Sequence, residues 1–109
     1  LRPEQLADER SEVEQLLAQL QADHRRMVEA SADSNADDEH DPEGATIAFD
    51  RAQLATVIER AQQRLTALDE AEARVQEGSY GRCRACGRPI APERLEARPT
   101  ATTCISCAG

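Results

Sequence analysis

Apolar residues recur at helical spacing from the start of the chain. Leu6, Val13, Leu20 and Met27 fall seven residues apart, and Leu16, Leu17 and Ala30 widen the same stripe. A repeat of seven with polar residues between is the seam of a coiled coil. From Pro3 to about Ala32 there is no Gly and no further Pro, and Ala, Leu, Gln, Glu and Arg, all strong helix formers, predominate. Pro3 suits a first helical turn, where its missing N–H is no loss, and Glu4, Asp8 and Glu9 lie toward the positive end of the helix dipole. The pattern predicts one long helix.

A second run repeats it. Ile47, Leu54, Ala61, Leu68 and Val75 are again seven apart, Val57, Ile58, Leu65 and Ala71 fill the intermediate positions, and Gly78 supplies a stop. Folded back antiparallel, the pairs 27/47, 20/54, 13/61 and 6/68 each sum to 74, so one turn near residue 37 brings four layers into register. Each arm of some 30 residues would be about 45 Å long at 1.5 Å per residue. An ordinary bundle would need a third apolar helix, and the chain has none to offer. In this register His24 falls opposite Asp50, where an interhelical hydrogen bond is expected in preference to chemistry.

The turn, at about 33–44, carries six acids between Asp33 and Glu43 and no Arg. Asp41-Pro42-Glu43 has the order of N-cap, first-turn proline and acid, so the second helix starts there or, alternatively, with Thr46 as cap. Three readings stand for the acids: a solvated loop, a Ca²⁺ or Mg²⁺ site although the spacing is not that of an EF-hand, or a recognition tip on a rigid stalk. His40 sits among them, where neighbouring carboxylates favour its charged form.

Composition limits what else this chain can be. Leu, Ile, Val and Phe fill only 18 of 109 positions, below the roughly 20% at which a strongly charged chain is expected to stay unfolded. A metal, disulfides or idealised helix packing must make up the deficit. All 13 basic residues are Arg, and the aromatics are Phe49 and Tyr80 alone, which excludes a stacking platform for single-stranded nucleic acid. The net charge of −8 opposes general binding to a phosphate backbone. The charge is uneven: residues 1–79 hold 8 Arg against 19 acids, giving −11, whereas residues 80–109 hold 5 Arg against Glu93 and Glu96, giving +3. No run of 18 apolar residues and no basic-then-apolar leader is present, so a soluble cytoplasmic protein without membrane contact is expected.

All four cysteines fall in the basic part, as Cys83-x2-Cys86 and Cys104-x2-Cys107 with 17 residues between the pairs. Two Cys-x2-Cys turns can aim four thiolates at one ion, and this is the spacing of a four-cysteine zinc site. A reducing cytosol opposes disulfides, a redox Cys-x2-Cys needs a strand-to-helix context that this Gly- and Pro-punctuated segment lacks, and the paired spacing favours zinc over an iron–sulfur cluster. Four protein thiolates leave zinc no open position, so its role is structural. The expected metal ligands are Cys83, Cys86, Cys104 and Cys107, holding one Zn²⁺. The fold expected is mainly α: a long antiparallel coiled-coil helical hairpin over 1–79, followed by a small four-cysteine zinc finger over 80–109.

The run Tyr80-Gly81-x-Cys83-x2-Cys86-Gly87-x2-Ile90-x3-Arg94-Leu95-x-Ala97-x-Pro99-Thr100-x3-Cys104-x2-Cys107 resembles the zinc-finger signature of the TraR/DksA family, and an acidic-tipped hairpin before it keeps that family's order of parts. The resemblance implies a factor that binds bacterial RNA polymerase, inserts its coiled coil into the secondary channel and alters promoter-complex stability without sequence-specific DNA contacts. The family tip pattern is Asp-x-x-Asp, a basic residue, then Ala. Here Asp41 matches its first position, while Gly44 and Thr46 stand where the second Asp and the Ala would be. Longer members continue beyond the last cysteine into a helix that serves docking and the response to guanosine tetraphosphate, and that response is not carried over.

The function expected is therefore a non-catalytic regulator of transcription initiation, a monomer, with RNA polymerase as partner and Asp37, Asp38, Glu39, Asp41, Pro42 and Glu43 acting at the tip. The alternative is a zinc-stabilised interaction module that reaches a ribosomal or other nucleic-acid complex through its Arg-rich finger. A third reading, a thiol redox switch, predicts zinc release under mild oxidant.

Overall fold

The computed structural model describes residues 3–33 and 42–108. Three helices follow in order, α1 (Pro3–Asp33), α2 (Pro42–Glu77) and α3 (Pro92–Ala97). Among the described residues no strand forms beyond an isolated antiparallel bridge between Arg82 and Pro89. The fold is mainly α, a helical hairpin followed by a small four-cysteine finger, as the two spacings predict. Of the two starts open to the second helix, it takes the one led by Pro42, whose ring pre-sets the helical φ and whose missing N–H falls in the turn that has no use for it.

The chain packs as two compact units, one of Leu1–Glu12 with Arg64–Gly109, the other of Val13–Gln63. In the first, the seam residues Leu6 and Leu68 are 1% and 0% exposed, and Ala71 is fully buried beside them in sequence. Leu6 and Ala7 share a small cleft with Glu72, Val75 and Gln76, while Arg64 donates to Glu9 at 2.9 Å and Arg10 pairs with Asp69. Earlier residues of α1 thus meet later residues of α2, so the segments run antiparallel. The paired numbers 9/64 and 10/69 sum to 73 and 79 and straddle the expected 74, as positions flanking a seam do. These ion pairs are 37–48% exposed, so each contributes at most about 1 kcal/mol, whereas burying each leucine contributes about 1.5–3 kcal/mol. Packing, and not charge, holds this end of the hairpin.

In the second unit, Val13, Leu17, Leu20, Met27, Ile47, Leu54 and Ile58 are half-buried and Ala61 is buried, while Leu16 and Val57 remain 50% and 44% exposed. A two-helix seam covers one stripe of each helix and leaves its flanks in water. His24 lies in a groove with Gln21, Arg25, Ala55 and Ile58, so α2 meets it with apolar side chains. Among the described residues no hydrogen bond joins His24 to Asp50, which is exposed.

α2 ends as the sequence expects. Gly78 takes φ +81°, its N–H reaches the Val75 carbonyl at 3.2 Å, and the Ser79 N–H reaches back to the Arg74 carbonyl at 2.9 Å. This pair of bonds is a Schellman stop, which satisfies two carbonyls the helix leaves open and turns the chain toward the finger.

Candidate metal centre

Two similar knuckles build the site. In the first, the Gly87 N–H bonds the Cys83 carbonyl at 2.9 Å and the Cys83 N–H bonds the Arg88 carbonyl at 2.8 Å, with Gly87 at φ +76° making the turn. In the second, the N–H groups of Cys107 and Ala108 both return to the Cys104 carbonyl, at 3.1 and 2.9 Å. Each knuckle therefore wraps back onto the carbonyl of its own first cysteine. The Arg84 N–H joins them, donating to the Thr102 carbonyl at 2.9 Å.

The short α3 and a small core hold the knuckles in place. Cys83, Ile90 and Leu95 are buried together, with Tyr80, Ala101, Cys104 and Cys107 packed against them. Arg94 donates from Nε to the Thr103 carbonyl at 2.9 Å, and the Tyr80 hydroxyl donates to the Pro99 carbonyl at 2.8 Å. Both bonds tie the chain just ahead of the second knuckle. Gly81, at φ +84°, passes close to Leu95, whose Cδ1 would lie 3.6 Å from an added Cβ.

The four sulfurs of Cys83, Cys86, Cys104 and Cys107 all lie within 4.8 Å of one another, and no disulfide joins them. Cys86 Sγ and Cys104 Sγ are 3.8 Å apart, and a zinc tetrahedron with bonds of about 2.3 Å has sulfur–sulfur edges of about 3.8 Å. The donor set fits one structural zinc ion and leaves it no vacant position. The thiols differ in acidity. Backbone hydrogen bonding from Cys104, then from Cys86 and Ala85, outweighs burial and holds the Cys83 thiol down at about 6. Cys104 is also lowered, first by the backbone of Cys107. Cys107 is pushed up to about 12, chiefly because its sulfur shares hydrogen bonds with Cys104, Cys83 and Cys86. Four sulfurs this close cannot all be thiolates without a cation among them.

The structure thus brings together the four residues expected to bind metal. Of the residues expected at the tip, Asp37, Asp38, Glu39 and Asp41 lie outside the described residues, and Pro42 and Glu43 begin the backbone of α2. What the sequence did not reveal is the work of Tyr80, Arg94 and Pro99. They stand in the signature as fixed letters, and only the fold shows that two of them are donors to main-chain carbonyls and the third an acceptor. No described helix is long and apolar enough to cross a membrane.

The profile of the prokaryotic dksA/traR C4-type zinc finger matches residues 78–109. The RNA polymerase-binding transcription factor DksA of Caulobacter vibrioides is 45% identical over 56 residues, which are 51% of this chain and 39% of that protein. The protein of the same description from Salmonella typhimurium is 37% identical over 49 residues, 45% of this chain and 32% of its own length. The chain therefore matches about two fifths of the first relative and a third of the second. Among solved structures, transcription factor DksA2 from Pseudomonas aeruginosa is similar over 95% of this chain and 74% of its own, with a TM-score of 0.81 and 29% sequence identity.

Proposed function

Because residues 78–109 match the prokaryotic dksA/traR C4-type zinc finger, we propose that this protein is a non-catalytic transcription regulator that binds bacterial RNA polymerase. The observation that carries the reading is the match of nearly the whole chain, hairpin and finger together, to transcription factor DksA2. In this reading the chain works in the cytoplasm as two functional parts, a hairpin over 1–79 and a finger over 80–109. One zinc held by Cys83, Cys86, Cys104 and Cys107 fixes the finger, and supplies rigidity and no chemistry. The hairpin enters the secondary channel of the polymerase, and Asp37, Asp38, Glu39, Asp41, Pro42 and Glu43 act near the active centre to change the lifetime of promoter complexes. Sequence-specific DNA contact plays no part, consistent with a net charge of −8.

The test is co-purification with core polymerase followed by crosslinking from position 41. Crosslinks in the secondary channel are expected, and crosslinks elsewhere overturn the mechanism. The double variant Asp41→Asn/Glu43→Gln should still bind polymerase but lose its effect on promoter complexes. If instead Arg84, Arg88 and Arg98 substitutions abolish partner binding and the tip variant is silent, the finger is the recognition element and the alternative interaction module replaces this reading.

A further inference from the structure

Between Glu43 and Glu59 lie 15 residues of which only Asp50 and Arg51 are charged, whereas the 19 residues from Glu59 to Glu77 hold eight charges. Within the poorly charged stretch Ile47, Leu54 and Ile58 are half-buried along the seam. Phe49 follows Ile47 by two residues, about 200° around the helix, and so lies on the far side of α2 from the seam. It is the one Phe of the chain, is 61% exposed, and is the largest apolar side chain that the described hairpin leaves in water. Ala52, Gln53 and Thr56 follow it at spacings of three, four and seven, which share its face, and all three are exposed. The Thr56 hydroxyl bonds the Ala52 carbonyl at 3.2 Å, so that polar group is spent within α2. Asp50 borders this face, half-buried Arg51 lies toward the seam, and Arg60 ends it. The hairpin itself has no use for an aromatic here, since Phe49 packs on the seam at no point and is a poorer helix former than Ala, Gln, Glu or Arg.

We propose that Phe49 is the apolar anchor by which the hairpin seats in its protein partner, its ring inserting into a pocket of that partner; the inference rests on the reading of the partner as RNA polymerase. Phe49 stands seven residues and about 10 Å beyond Pro42, so it travels with the tip end of α2 into whatever the hairpin enters. An aromatic among uncharged neighbours is the composition of an interface core, and a single well-packed aromatic commonly carries a large share of binding. Attraction drawn from exposed acids is screened by salt, whereas burial of a ring is not. A second copy is disfavoured as the occupant. A strip about 10 Å long and about 10 Å wide, laid on an equally convex helix, falls far short of the roughly 1,200 Å² that a stable interface buries. Residues 13–63 also carry 11 acids against 4 Arg, giving −7, so two hairpins repel. The same charge disfavours an anionic membrane surface and nucleic acid. A concave protein partner encloses the ring and gains further area along the rest of the hairpin.

The experiment measures displacement of the N-terminally labelled, zinc-loaded full chain from core RNA polymerase, at low and at high salt. Phe49→Ala should weaken binding by about tenfold or more at both. Its helicity and zinc content should be retained, because an exposed side chain gives way to a better helix former. Phe49→Leu should keep part of the affinity, and Phe49→Glu should lose at least as much as Phe49→Ala. Val28→Ala, an exposed apolar truncation on α1, should bind as the parent chain does. The proposal alone is overturned if the parent chain binds and Phe49→Ala binds equally well, if Val28→Ala loses as much, or if the loss at Phe49 vanishes at high salt. A parent chain that dimerises, and whose dimer Phe49→Ala dissolves, assigns the face to a second copy and overturns it as well. Failure of the parent chain to bind polymerase at all overturns the polymerase reading and this inference with it.

Discussion

The Tyr80 hydroxyl donates a 2.8 Å hydrogen bond to the carbonyl of Pro99, bridging the exit of α2 and the approach to the second knuckle. Its own N–H also returns to the Arg74 carbonyl at 3.1 Å, so one residue is tied both to the hairpin base and to the finger. Tyr80→Phe should lower the stability of the finger by about 1 kcal/mol, the usual net worth of one hydrogen bond, measured by denaturant unfolding of the zinc-loaded chain. Burial raises the phenol's pKa above its ordinary 10.0. The sign follows from linkage: the stabilisation is fully present below pH 10, where both states are protonated, and is lost as the pH climbs above it and the unfolded chain ionises first. Since the chain has one Tyr and no Trp, phenolate absorbance reads this group alone, and its midpoint should fall on adding denaturant. An unchanged midpoint would refute the account of its burial.

Leu6 and Leu16 have the same side chain on the same helix but different surroundings, 1% and 50% exposed. Leu6→Ala should cost about 2–5 kcal/mol, as core truncations do, and Leu16→Ala well under half as much. Thermal or urea unfolding of the two variants distinguishes them directly. Equal losses would mean that the flank is covered in solution.

Arg74 is 7% exposed, and both terminal nitrogens of its guanidinium lack a hydrogen-bond partner among the described residues. A buried charge without a partner is destabilising, and replacing buried charge by an apolar side chain of similar volume is often neutral or better. Arg74→Met should leave stability unchanged or raise it. A loss greater than about 1 kcal/mol would reveal a partner for this cation.

Removing zinc with a chelator should unfold the finger while most of the helical signal survives, because α1 and α2 hold 31 and 36 residues against 6 in α3. Structural zinc commonly contributes about 10–16 kcal/mol of apparent binding energy, more than Ile90 and Leu95 supply by burial. Reloading should release protons, because the thiols of the unfolded finger are mostly protonated at neutral pH and zinc binds them as thiolates. Calorimetry in buffers of different ionisation enthalpy counts them. Release of none would contradict ligation by thiolates.

The hairpin was legible because spacing by seven can be satisfied by few structures, and the finger because two Cys-x2-Cys turns have few uses. Less was legible where several neighbours satisfy the same stripe. His24 could face Asp50 on the simple count, but the flanking positions of a two-helix seam are offset by several residues, and Ala55 and Ile58 line its groove instead. Leu16 and Leu17 were equivalent in sequence, and only packing shows that the first is exposed and the second half-buried. The burial of Arg74 left no trace at all, since an arginine near a helix C-terminus is ordinarily a solvated complement to the dipole.

The unit that carries the finger is discontinuous in sequence: Leu1–Glu12 belongs with Arg64–Gly109, and the 51 residues from Val13 to Gln63 form a unit of their own. During synthesis, at about 5–20 residues per second, the first segment emerges seconds before anything it packs against exists. Leu6 must wait for Val75, which shares its cleft, and the second knuckle, ending at Cys107, is made about a hundred residues after Leu6. Metal capture thus comes after both long helices have been made, when the intervening residues have had time to fold and to shorten the search for the closing contacts.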